Sequence, residues 1–177
     1  HDILSVKETS YFIHHYGVKG TLQWLDLKPG QALPYTTPGG RELHFYLTPY
    51  AHSFGAMMTY DTATGALFTS DILGGLGAEW ELYHNEQALK NMKRFMQIIM
   101  PENRILRYCL RLIADIKPTI ICPQHGQLIK AADFPAILES LWDLPCGIDL
   151  IEDPLFLEMA NAAPPLRSTG TAGGKSK

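Results

Sequence analysis

Two short strand-like runs, residues 56–60 and 66–70, are separated by Asp61-Thr62-Ala63-Thr64-Gly65. An Asp that can bond its own backbone and a Gly that tolerates positive φ suit this link to a hairpin turn. Nothing else in the chain constrains its fold as strongly, and the remaining elements must build on that antiparallel pair. Upstream, residues 42–48 alternate His44 and Tyr46 against Leu43, Phe45 and Leu47, a strand apolar enough for a largely buried sheet.

The first half reads as strands and turns. Ile3-Leu4-Ser5-Val6 is a short apolar strand, and residues 8–16 form a short helix that Gly17 ends. Residues 21–27 place Leu22, Trp24 and Leu27 on a further strand, broken by Lys28-Pro29-Gly30, and Pro38-Gly39-Gly40 marks a second turn. The second half is helical. Leu89, Met92, Phe95, Met96 and Ile99 share one helix face opposite Lys90, Lys93 and Arg94, and Pro101 closes the run. A second helix carries Ile105, Cys109, Leu112, Ile113 and Ile116 and stops near Lys117-Pro118. Thr119-Ile120-Ile121-Cys122 is a buried strand, and residues 134–142 form a third helix. The order predicts an α/β domain over residues 1–153. Residues 154–177, ending in a Gly/Ser/Thr/Lys stretch from Ser168, read as a linker or disordered tail.

A chain of 177 residues buries enough surface to fold without a disulfide or metal staple, so a bound metal would point to function. Fifteen Lys+Arg against 18 Asp+Glu leave a net charge of -3, without the basic surplus that a phosphate backbone demands, which argues against nucleic acid. Cys109, Cys122 and Cys146 are odd in number and widely spaced; they fit a reducing compartment, and a cytoplasmic protein is expected. No apolar run approaches the roughly 18 residues of a membrane span, and residues 1–10 lack the order of a signal peptide. The missing initiator Met is read as the mark of a fragment.

Three polar residues each follow a strand: His52, Asp71 and His125. Strand ends are where a layered scaffold exposes reactive groups. Two imidazoles and a carboxylate make a mixed N/O set suited to Fe, Mn or Zn, and a carboxylate can bridge two cations. Glycines lie within a few positions of each (Gly55, Gly74-Gly75 and Gly126), so each sits in a sharply turning loop. The alternatives are a hydrogen-bonded structural histidine at either His and a helix N-cap at Asp71.

The segments Thr48-Pro49-Tyr50-Ala51-His52-Ser53, Leu67-Phe68-Thr69-Ser70-Asp71-Ile72-Leu73-Gly74-Gly75 and Ile121-Cys122-Pro123-Gln124-His125-Gly126 together resemble the later metal-binding motifs of the metallo-β-lactamase superfamily. They are most similar to its non-haem diiron branch, which contains flavodiiron proteins and oxygen-binding diiron sensor domains. Met100-Pro101-Glu102-Asn103 ahead of the following helix agrees with that branch. The resemblance implies a four-layer αββα sandwich, here partial, with His52 on one metal, Asp71 bridging and His125 on the other. It implies two Fe as cofactor, Zn as the alternative, dioxygen or nitric oxide as ligand, and a redox or signalling domain as partner. The branch's first cluster, His-x-Glu-x-Asp-His, has no match here and is expected upstream of residues 3–6. An apolar face left open by that missing layer would drive association, a homodimer included.

Ser53-Phe54-Gly55-Ala56 looks like the oxygen-binding sensor type rather than the Trp-Pro-Asp-Ser-Met of flavodiiron reductases. Two further readings stay open: a dizinc hydrolase, in which bound water becomes hydroxide near neutral pH, and a metal-free fragment. His14-His15-Tyr16 is read as the polar end of a helix, His44 as a strand histidine, and Tyr83-His84 as loop surface or a group near the metal. Met57, Met58, Met92 and Met96 are read as core. Gly173-Gly174-Lys175-Ser176 lacks the first glycine and the strand of a phosphate loop.

Overall fold

The computed structural model describes residues 2–77 and 81–162. Strands β1 (Asp2–Val6) and β2 (Thr21–Leu25) pair in parallel as a two-stranded sheet. Helix α1 (Lys7–Ile13) connects them and tightens into a 3₁₀ turn before Gly17, whose φ of 64° ends it. Six strands form the main sheet in sequential order: β3 (Ala32–Thr36), β4 (Glu42–Leu47), β5 (Met57–Asp61), β6 (Ala66–Phe68), β7 (Ile120–Cys122) and β8 (Ile129–Lys130). Within this sheet only the β6–β7 pair runs parallel. Such a pair needs a long crossover, here made by α2 (Glu86–Ile99) and α3 (Asn103–Ile116). Helices α4 (Phe134–Leu141) and α5 (Pro154–Asn161) follow the sheet.

The expected hairpin is β5–β6. Asp61 closes its turn by taking Arg41, Thr64 and the Ala63 N–H onto one buried carboxylate, and Gly65 follows with a φ of 71°.

Register assigns the faces. Tyr46 pairs with Met58, Tyr60 with Leu67, Leu67 with Ile121 and Ile121 with Ile129, so these side chains share one face. That face packs on Met92, Phe95 and Met96 of α2, Leu106, Cys109, Leu110 and Ile113 of α3, and Phe134, Ile137 and Leu141 of α4 in one core. The methionines read as core are Met58, Met92 and Met96, all buried; Met57 is half-buried on the opposite face. On that face Phe45 pairs with Thr59 and Thr59 with Phe68, and Phe68 is 49% exposed.

Three elements differ from the sequence reading. Strand β3 went unread because Pro34 gives no N–H; at the edge of the sheet that donor is not needed. Strand β8 has two residues, too few for a period. Past Asp153, where a linker was expected, α5 forms with Pro154 in its first turn and the Asp153 side chain accepting from Phe156 N–H at 2.8 Å. None of its residues is buried, so capping rather than packing accounts for it. The tail from Ser168 and the Gly173–Ser176 stretch lie outside the described residues. No helix is long and apolar enough to cross a membrane among the described residues.

Candidate metal centre

Strand β6 stops at Phe68 because the chain turns sharply. Thr69 is buried, donates its hydroxyl to Ile72 C=O at 2.7 Å and accepts on its own carbonyl from Ile72 N–H at 3.1 Å. Ser70 and Leu73 on either side take positive φ values of 54° and 63°. Asp71 is thereby fixed at the apex, and Gly74 N–H donates back to its carbonyl at 3.0 Å. The loop after β7 is tied to this turn, with Gln124 N–H donating to Ser70 C=O at 2.7 Å and Gly75 N–H reaching His125 C=O at 3.4 Å.

Glycine is required where the loops meet. At Gly126, φ is 96° and a Cβ would stand 2.7 Å from Gly75 N. No larger residue allows this approach.

The two loops bring Asp71 and His125 together. His125 Nε2 lies 3.1 Å from Asp71 Oδ1, and Nδ1 lies 3.1 Å from the Gly75 carbonyl. The side chains are 33% and 18% exposed, so the pair opens to solvent on one side. On the other side the Phe95 ring meets the imidazole edge-on, with centroids 4.6 Å apart. A cleft of about 430 Å³ adjoins His125, lined by Gly75, Gly77, Asn91, Gln124 and Gln127.

His52 sits in a comparable turn with a φ of 72°, between Ala51 and Ser53, which bridge each other, and its side chain is exposed. Of the five non-glycine residues with positive φ among the described residues, four (Tyr50, His52, Ser70 and Leu73) lie within two positions of His52 or Asp71. Backbone strain of this kind concentrates at functional loops. The structure brings Asp71 and His125 into contact and places His52 on a separate loop. Among the described residues no group of three or more His, Cys, Asp or Glu side chains stands close enough to hold a metal ion.

The donor set nevertheless suits a cation. A carboxylate and the Gly75 carbonyl, both acceptors, flank the two ring nitrogens of His125. With Nδ1–H donating to the carbonyl, the Nε2 lone pair faces a carboxylate oxygen, and a cation between them satisfies both. A histidine whose second nitrogen is held by a backbone carbonyl is the usual support of a metal ligand.

His44 pairs with Glu42 at 2.6 Å, and Tyr83 lies under Lys130 at 4.4 Å. His84 N–H donates to Leu128 C=O and Leu128 N–H to Leu82 C=O, both at 2.9 Å, so this segment straps the loop that follows His125. The His84 Nδ1 is buried, and burial pushes the ring below the ordinary histidine value. Phe95 stands thirty positions from His125 on the apolar face of α2, and nothing in the spacing marks it as a neighbour of the site.

A family model described as ODP family beta lactamase matches residues 1–126, and the chain belongs to that family. Chemotaxis sensor ODP is similar in two states. Its peroxy diiron species gives a TM-score of 0.73 at 23% identity, covering 85% of this chain and 63% of that one. The apo state from T. denticola gives 0.74 at 24%, covering 85% and 62%. A variant of the flavo di-iron protein from Thermotoga maritima gives 0.65 at 22% identity, over 80% of this chain and 35% of that one. The type A flavoprotein fprA of Rhodobacter capsulatus is 27% identical over 96 residues, 52% of this chain and 22% of its own length. The chain therefore spans less than two thirds of each. Together with the family model, the structural likenesses show the metallo-β-lactamase-type α/β fold.

Proposed function

We propose that Asp71 and His125 belong to a non-haem diiron centre that binds dioxygen or nitric oxide. The contact between them, with His125 held by the Gly75 carbonyl, is the observation that carries the reading. Membership of the ODP family and the diiron relatives support it. In this reading Asp71 bridges, His125 ligates one iron and His52 ligates the other. Two ferrous ions would supply electrons and open positions for a diatomic ligand. The chain's own residues orient the imidazole beside the cleft, hold the carboxylate 3.1 Å from its Nε2 and set Phe95 edge-on to the ring. A sensing role is favoured by Ser53-Phe54-Gly55-Ala56, and the partner would be a signalling or redox domain.

Metal analysis of the native protein containing residues 1–177, followed by anaerobic Fe(II) titration and exposure to oxygen, tests this. Two irons per chain and an oxygen-dependent near-ultraviolet or visible band are expected, and Asp71→Asn is expected to lose at least one iron. Stoichiometric zinc with ester or lactam hydrolysis overturns the reading in favour of a hydrolase. Full iron occupancy in Asp71→Asn removes the bridging role.

A further inference from the structure

Three contacts converge on the His125 ring from outside any ligand set. The Phe95 ring stands against it at 4.6 Å with an interplanar angle of 71°. The Gly75 carbonyl takes Nδ1 at 3.1 Å. Gly74 lies so close that a Cβ there would sit 3.0 Å from His125 Cε1, 3.0 Å from the Asp71 carbonyl and 3.1 Å from the His125 carbonyl. Rotation of an imidazole about its last side-chain bond is broad and roughly two-fold, so a histidine on a loop does not choose its orientation unaided. A half-turn would place carbon atoms against both the Gly75 carbonyl and Asp71 and lose both polar contacts.

We propose that Phe95 and Gly74 are positioning residues that hold the plane of the His125 ring, within which the Gly75 carbonyl selects the orientation presenting Nε2 to a cation at Asp71. This rests on the metal reading above. Phe95 supplies a wall carried by α2, whose Met92 and Met96 are fixed in the core, so the ring is referred to a rigid element rather than to its own loop. Gly74 supplies the missing volume that lets the Asp71 turn close onto the other edge of the imidazole. Its φ is outside the left-handed region, so alanine there meets no left-handed backbone penalty and acts by steric contact with the imidazole and with the Asp71 and His125 carbonyls.

The test uses Co(II) as probe in the native protein containing residues 1–177. Its readouts are the dissociation constant, the d–d absorption bands and the urea midpoint of the metal-free protein. Phe95→Leu and Gly74→Ala are each expected to weaken cobalt binding about tenfold or more and to alter the d–d bands, since residues supporting a ligand carry effects of that size. Phe95→Tyr is expected to restore both. Wild-type affinity and bands in Phe95→Leu and Gly74→Ala overturn the proposal. So does a loss that Phe95→Tyr does not rescue and that tracks a fall in the urea midpoint, which marks packing alone. A wild-type protein that takes up no cobalt overturns the metal reading beneath it instead.

Discussion

At the scale of single residues, charge and burial set the behaviour of the titratable groups. Asp61 is held well below the usual carboxylate range by the Arg41 guanidinium first, then by the Thr64 hydroxyl and the Ala63 N–H against the opposing effect of burial. A depressed folded value means that this stabilisation is complete above the unfolded value of about 3.9 and is lost as pH falls below it toward the folded value. Asp61→Asn is expected to flatten the acid limb of the stability profile below about pH 4. Urea midpoints across that range check it, and an unchanged limb refutes the assignment. Burial also raises the thiols, to about 12 at Cys109 and about 11 at Cys146, while half-buried Cys122 is raised without such enclosure. Alkylation of the native protein at mildly basic pH, read by mass spectrometry, is expected to mark Cys122 first, and the other two only in denaturant.

At the scale of elements, caps and glycines decide whether the scaffold holds the site. Helix α2 begins at Asn85, whose side chain accepts from Ala88 N–H at 2.8 Å. Asn85→Ala removes that acceptor and is expected to cost about 1 kcal/mol in urea unfolding. The joint between the β6 and β7 loops is less forgiving. Gly126→Ala combines a φ of 96° with a Cβ 2.7 Å from Gly75 N, and is expected to destabilise by upward of about 1 kcal/mol while separating Asp71 from His125. Retention of wild-type stability and metal affinity in Gly126→Ala would show that these loops approach less closely than described.

Across the whole molecule, the main sheet carries helices on one face, while on the other Phe45 is buried, Leu43, Leu47 and Met57 are half-buried and Phe68 is exposed. Trp24, on the two-stranded sheet, is 51% exposed. Parallel pairing such as β1–β2 is normally covered on both faces, and exposed apolar side chains on a sheet promote association. Residues 1–177 expressed alone are expected to bind a hydrophobic dye and to sediment faster as concentration rises. Phe68→Ser is expected to reduce both while changing stability by no more than about 0.5 kcal/mol. Sedimentation independent of concentration would show the open face to be inert.

Local chemistry alone was enough for the elements whose signal lies within a few residues. The β5–β6 hairpin followed from Asp61 and Gly65, α2 and α3 from their apolar stripes, and the end of α1 from Gly17. The candidate residues His52, Asp71 and His125 were legible because each follows a strand in a glycine-marked loop. Strand β3 and helix α5 were not, since a proline in an edge strand and a capped but unpacked helix both contradict the pattern by which such elements are read. Only tertiary structure decided which candidates meet. The parallel β6–β7 pairing carries Asp71 to His125 across 54 residues, leaves His52 outside any three-residue group among the described residues, and sets Phe95 against the imidazole. The physical reason is that periodicity records which face of an element is apolar, whereas contact between elements depends on how those faces stack.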